Sequence, residues 1–276
     1  MNLLLVRQFL QQALIEDIGT QDLTTELIFD AQTKIQGVLL VKQEGRLAGL
    51  DVVKEVFKLV DPSIETDLLV SDGQDVQAGT SAVRVSGLAR SILSTERVAL
   101  NMVQRMSGIA TVTRDLCRKV APYNVQIVDT RKTVPGLRMF DKYAVRVGGG
   151  RNHRFGLYDA VLIKDNHIAA AGSITSAVEL IKKEVGHLVK IEVETETLEQ
   201  VREALAAGVD VVLFDNMSPQ QIKEAVTLVK GRVLTEASGG IGPDNIVDYA
   251  ATGVDAISVG WLTHSVKALD ISLDLE

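Results

Sequence analysis

Polar residues gather at the ends of short apolar runs in this sequence, and their types suit anion recognition and electrostatic catalysis. Asp129-Thr130-Arg131-Lys132 closes one run and Lys164-Asp165-Asn166-His167 another. Glu192 with Glu194, Asp215-Asn216, Glu236 to Gly240 and Ser258 to Gly260 follow in order. Between Arg131 and Lys164 stand eight basic residues (131, 132, 138, 142, 146, 151, 154 and 164) and two acids, a window of +6 in a chain whose remainder is −13. A concentrated positive charge of this kind attracts small anions, and a concave wall focuses its field. Phosphates and carboxylates are the expected ligands. Gly148-Gly149-Gly150 and Ser238-Gly239-Gly240 fit the same reading, because glycines let backbone amides approach an anion closely. Neither matches a nucleotide-binding fingerprint, and singly each reads as a turn. Glu192 and Glu194 lie two apart on one run and therefore share a face, with Asp215 closing the next. Such acids beside phosphate hold Mg²⁺ or sugar hydroxyls.

The elements that carry these ends alternate. From about residue 126, apolar runs at 125–129, 160–164, 189–193, 209–214, 233–236 and 255–259 are separated by amphipathic helical segments, with a repeat of 20 to 35 residues. Ser173, Thr197 and Ser218 read as helix N-caps, Pro219 and Pro243 as first-turn residues, and Gly186, Gly208, Gly231 and Gly253 as C-terminal stops. This is the βα repeat of a parallel sheet. With residues 143–147 as a further strand, seven strands make an incomplete (β/α) barrel, an open doubly wound sheet being the alternative. In a barrel the polar ends converge on one rim, where that architecture holds its active sites.

The first hundred residues lack this order. A helix at the start, a strand over 34–42, a helix over 49–60 and strands over 68–71 and 82–86 predict an α+β sandwich domain over residues 1–107. One long helix or two consecutive ones fill 89–120. The barrel domain follows over 108–265, and the closing LDISLDLE alternates like a strand, so that 266–276 returns to the first domain.

Composition sets outer limits. The chain has 276 residues, 46% hydrophobic and 24% charged, with a net charge of −7. That balance is globular and argues against a nucleic-acid binder. No run reaches the roughly 20 apolar residues of a membrane span. One cysteine, Cys117, forms no intrachain disulfide. The apolar spacing of Leu3, Val6, Leu10 and Leu14 reads as a helix rather than a secretion signal, and a cytoplasmic location is expected.

At DTRKTVPGLRMFDKYAVRVGGGRNHRFGLYDAVLIKDNHI, residues 129–168, the sequence resembles the quinolinate phosphoribosyltransferase family, also called nicotinate-nucleotide pyrophosphorylase (carboxylating). The resemblance extends through EDIGTQDLTT at 16–25, ERVALNMVQRMSGIAT at 96–111, KIEVE at 190–194, LFDNMSP at 213–219 and EASGGI at 236–241. Val134 and Trp261 depart from the usual pattern. The resemblance implies conversion of quinolinate and phosphoribosyl pyrophosphate into nicotinate mononucleotide, pyrophosphate and CO₂, with Mg²⁺, in NAD biosynthesis. It also implies a homodimer with shared active sites, in some members a larger assembly. By motif, Thr130, Arg131, Lys132, His153, Arg154 and Lys164 line the quinolinate pocket, and Arg97 reaches it from the neighbouring subunit. Glu194 and Asp215 serve the ribose and metal and, with Lys132 and Lys164, the chemistry. Ser238-Gly239-Gly240 and Ser258-Val259-Gly260 are the phosphate loops. Three rivals compete with this reading: a transferase of the same fold acting on another acid, a Schiff-base lyase using Lys164, and a non-catalytic anion sensor.

Overall fold

The computed structural model describes residues 1–276, and packing divides the chain into two compact units. The first comprises residues 1–114, 134–149 and 265–276, and the second comprises 115–133 and 150–264.

The first unit opens with helix α1 (Leu3–Ile18) and the short α2 (Leu23–Ile28), capped by Asn2 and by Asp22, whose carboxylate accepts the Thr25 N–H. Strand β1 (Lys34–Val41), the short β2 (Gly45–Arg46), helix α3 (Leu50–Val60), β3 (Glu65–Leu68), β4 (Asp75–Val76) and β5 (Ser81–Leu88) lead into helix α4 (Ala89–Val120). Helix α5 (Arg138–Val147) and the closing strand β12 (Ile271–Leu275) complete the unit. The main sheet is antiparallel in the order β12-β1-β5-β3, with Val41 opposite Ile271 and Gly37 opposite Leu275. Its apolar face carries Leu39, Val41, Val83 and Val85, and α1 and α3 bury Leu10, Leu14, Val53, Val56 and Phe57. Each such side chain contributes roughly 2 to 3 kcal/mol by leaving water. At Gly108 of α4 a Cβ would stand 2.2 Å from the carbonyl oxygen of Lys267, so only glycine lets the returning segment lie this close to the helix.

Residues 143–147 are helical, which corrects the strand expected there. Their local pattern, Tyr-Ala-Val-Arg-Val, favours a strand, yet burial of Phe140, Asp141, Ala144 and Val145 follows helical spacing. Arg105 donates two hydrogen bonds of 2.8 Å to the fully buried Asp141, and Tyr143 donates one of 2.7 Å to Asp72. Tertiary anchors on one helical face override local strand preference.

The second unit is a parallel βα array. Strands β6 (Gln126–Val128), β7 (Val161–Ile163), β8 (Ile191–Thr195), β9 (Val211–Asp215), β10 (Leu234–Ser238) and β11 (Ala256–Ser258) pair in the order β6-β11-β10-β9-β8-β7. Helices α6 (Asp165–Ala171), α7 (Ile174–Glu184), α8 (Leu198–Ala207), α9 (Pro219–Val229), α10 (Ile246–Ala250) and α11 (Trp261–His264) follow the strands. Ser173, Thr197 and Ser218 are N-caps, and Gly208 stops α8 with φ +71°. Three stops fall before the expected glycines, by one residue at Val185 and at Lys230 and by two at Ala251 ahead of Gly253, and α10 begins beyond Pro243. The regular sheet thus has six strands where seven were expected. A seventh extended segment adds one parallel bridge, Val128 to Arg151, in which the Arg151 N–H donates to Ile127 O at 2.8 Å. The result is an incomplete α/β barrel. No helix of the chain is long and apolar enough to cross a membrane.

Candidate active site

The carboxyl ends of all six strands, with the segment after Arg151, surround a cavity of about 560 Å³. Parallel pairing brings them together: Glu194 lies opposite Leu213, and Asp215 opposite Ser238. Thr130, Arg131, Lys132, His153, Arg154, Lys164, Glu194, Asp215, Ser238, Gly239, Gly240 and Ser258, all expected from the sequence, line this cavity. Val259 and Gly260 do not line it: Val259 is buried, its N–H donating to Val128 O at 2.9 Å. Arg97 is exposed on α4 and lies outside the lining.

The cations are individually held. Thr263 Oγ1 donates to the Lys132 carbonyl at 2.8 Å, and the Lys132 N–H donates to Thr130 Oγ1 at 3.0 Å, so the turn after β6 is fixed from both sides. Arg154 Nη1 donates to Ala160 O at 3.0 Å. Burial, then the neighbouring charge of Arg131, lowers the Arg154 pKa from its ordinary value. Two guanidinium groups that press on each other in a partly buried wall form a receptor for a small polyanion. The sequence window of +6 does not form one patch. Four of its cations line the cavity, whereas Arg138, Lys142 and Arg146 lie on α5, Lys142 fully buried there.

The acids are in two layers. Glu194 reaches the cavity and pairs with the Lys164 ammonium; burial raises its pKa and Lys164 partly offsets the rise. Asp215 accepts a 2.8 Å hydrogen bond from Asn216 Nδ2. Asn216 has φ +54°, and its N–H donates to Ser238 O at 2.9 Å. Below Glu194, Glu192 is buried and accepts from His153 Nε2 at 2.9 Å. Glu236, also buried, lies 3.7 Å from the same nitrogen, and burial followed by the charge of Glu192 pushes its pKa up to about 7. Glutamates two apart on β8 share the barrel-facing side, as their spacing predicts.

Glu194 and Asp215, on adjacent strands, both line one cavity, and their carboxylate oxygens are hard donors of the kind that suit Mg²⁺. Their side chains fit such an ion. Leu162, Glu196 and Leu213 also line the cavity and were not singled out from the sequence, whereas Asp165, Asn216 and Glu236, which line it too, were read only as polar residues at strand ends. Asn216 had a legible signal, since it directly follows an acid at a strand end.

A parallel α/β barrel with convergent cations, acids and a glycine turn at its strand ends belongs to the class of enzymes that hold small anionic substrates at the barrel rim. The family model for the quinolinate phosphoribosyl transferase C-terminal domain matches residues 109–274, and that for the N-terminal domain matches residues 22–107. The chain belongs to the quinolinate phosphoribosyl transferase family. It is 49% identical over 275 residues to a probable nicotinate-nucleotide pyrophosphorylase [carboxylating] of Bacillus subtilis (strain 168), covering 100% of this chain and 95% of that protein. It is 41% identical over 294 residues to a mitochondrial quinolinate phosphoribosyltransferase [decarboxylating] 2 of Nicotiana glauca, covering 98% and 82%. Its fold matches the crystal structure of NadC from Streptococcus pyogenes with a TM-score of 0.96 at 42% identity, over 100% of this chain and 98% of that one.

Proposed function

We infer that this chain transfers the phosphoribosyl group of phosphoribosyl pyrophosphate to quinolinate with loss of CO₂, giving nicotinate mononucleotide and pyrophosphate for NAD synthesis. The observation that carries this reading is the single cavity in which Arg131, Lys132, Arg154 and Lys164 face Glu194, Asp215 and the Ser238-Gly239-Gly240 turn. Quinolinate has two adjacent carboxylates. Arg131 and Arg154 offer planar paired donors that match them and stay charged at any working pH. Lys132 adds charge beside them. Ser238, Gly239 and Gly240, with Ser258, suit the phosphate end.

As pyrophosphate departs, positive charge develops on C1′ and O4′ of the ribosyl group, as in glycoside cleavage. Glu194 and Asp215 stabilise that charge through preorganised carboxylates in a partly dry site. Glu194 and Asp215 would hold Mg²⁺, which would supply charge neutralisation for the leaving pyrophosphate. The pyridine nitrogen donates its electron pair to C1′, and the C1′–O bond breaks with its electrons going to pyrophosphate. The ring nitrogen, now cationic, stabilises the electron pair left on the ring carbon when the 2-carboxylate departs as CO₂, and that pair takes up a proton from solvent. No protein nucleophile is needed. Lys164 is committed as an ion-pair partner of Glu194, which favours charge recognition over a Schiff base.

The working unit in this reading is a homodimer, in which the exposed Arg97 adds a further cation to the partner's cavity. The lone Cys117 supports a cytoplasmic setting. Incubation with quinolinate, phosphoribosyl pyrophosphate and Mg²⁺, with nicotinate as a parallel substrate, tests the reading. Nicotinate mononucleotide and CO₂ from quinolinate alone are expected; product from nicotinate alone would overturn the assignment.

A further inference from the structure

His153 lines the cavity, yet both of its ring nitrogens are engaged by the protein. The Arg154 N–H donates to Nδ1 at 2.7 Å, so Nδ1 acts there as an acceptor and the neutral ring carries its proton on Nε2. Nε2–H then donates to Glu192 Oε2 at 2.9 Å. The same short segment is held from the β6 side by the fully buried Asp129, which accepts the His153 N–H at 2.9 Å and Asn152 Nδ2 at 2.6 Å. Glu192 of β8 and Glu236 of β10 thus converge on one imidazole, Asp129 holds the backbone beneath it, and the ring in turn holds the backbone of Arg154.

This arrangement is costly for stability. Glu192 and Glu236 are 8% and 6% exposed, and one oxygen of each, Oε1, is buried without a hydrogen-bond partner. Unsatisfied buried carboxylate oxygens cost free energy that apolar side chains of similar size would not. Rule-breaking of this kind is expected where a site must be held rigid. The Nε2 and carboxylate atoms also lie within 4.8 Å of one another, the spacing of a cation site. A cation would require the Nε2 lone pair, and the hydrogen bond accepted at Nδ1 reserves that nitrogen for a proton.

We infer that Glu192, backed by Glu236, is a positioning residue for the reaction: it fixes His153 in the Nε2–H form and orientation that hold Arg154 at the quinolinate carboxylates. The inference rests on the quinolinate reading of the cavity. In it His153 is an internal strut, and Arg154 makes the contact with substrate. Glu192→Leu removes the acceptor and frees the ring, whereas Glu192→Gln keeps an acceptor oxygen at the same reach.

The test measures the KM for each substrate separately in the full-length enzyme and reads the His153 tautomer by ¹⁵N NMR of histidine-labelled protein. Glu192→Leu should raise the quinolinate KM about 10- to 100-fold, the scale on which lost supporting partners act. The KM for phosphoribosyl pyrophosphate should stay within about twofold, and Glu192→Gln should recover most of the loss. The ring should carry its proton on Nε2 in wild type and Glu192→Gln. An unmoved quinolinate KM in Glu192→Leu, equal rises in both KM values, or Gln as damaging as Leu would overturn the inference. Should the Leu variant fail to fold, the wild-type spectrum decides: a proton on Nδ1, or metal on Nε2, refutes it. Wild type that makes no nicotinate mononucleotide refutes the reading of the cavity instead.

Discussion

In the function proposed above, Arg131 and Arg154 carry the recognition of quinolinate, and their removal should be felt in binding first. Truncating either to alanine leaves a substrate carboxylate without its paired donors, a loss of about 3 kcal/mol or roughly 100-fold in affinity. Calorimetry with quinolinate checks this; unchanged affinity would remove both residues from the pocket. Asp215 acts at a different stage. In that reading its carboxylate faces the charge that appears only as pyrophosphate leaves, so Asp215→Ala should lower kcat by about 10²- to 10³-fold while quinolinate still binds. Turnover near the wild-type rate would refute the electrostatic role. Most of these residues were legible in the sequence, because a charged group directly after an apolar run points at a barrel rim. Glu236 was legible only as a strand-end polar residue. Nothing local shows that it lies buried beside Glu192, since that proximity joins strands more than 40 residues apart.

At the scale of elements, the turn after β10 is the most constrained. Gly239 has φ +95°, and a Cβ there would meet Asn216 Oδ1 at 2.2 Å, so the turn and the Asp215-Asn216 pair are packed as one piece. Gly239→Ala should displace Asn216 and raise the KM for phosphoribosyl pyrophosphate by at least about tenfold, with quinolinate affinity retained. Steady-state kinetics beside quinolinate calorimetry separate the two. In the first unit, Asp75 accepts two hydrogen bonds from Arg46, at 2.9 and 3.1 Å, and one from Arg114 at 3.0 Å. Arg46, then Arg114, holds its carboxyl well below the usual carboxylate range. A carboxyl lowered on folding stabilises above its unfolded pKa and loses that contribution as pH falls below it. The stability gap between wild type and Asp75→Asn, read by denaturant unfolding, should therefore hold from pH 7 to about 5 and shrink below about 4. The gap should be modest, because Asp75 is one-third exposed. A gap that widens in acid would contradict the pairing.

For the molecule as a whole, a net charge of −7 and a basic window of +6 describe sums, and folding redistributes them. The cavity gathers four of the eight cations of that window, while α5 carries three into the first unit. Arg97, exposed on α4, belongs to the assembly in our reading. Mixing two inactive variants, Arg97→Ala and Asp215→Ala, should then restore partial activity as subunits exchange, up to about one wild-type site per mixed dimer. No recovery after verified exchange would place Arg97 outside a shared site. The amino-acid sequence by itself determined the βα repeat, the strand ends that carry chemistry, the helix N-caps at Ser173, Thr197 and Ser218 and the ordered motifs of the family, because periodicity, N-capping and motif spacing are local properties of a chain. The tertiary structure alone decided that residues 143–147 are helical, that the segment at Arg151 supplies the seventh barrel position, and that Asp129, Glu192 and Glu236 meet at His153. Those outcomes depend on burial and pairing between distant segments, where a buried ion pair or a single bridge outweighs any local preference.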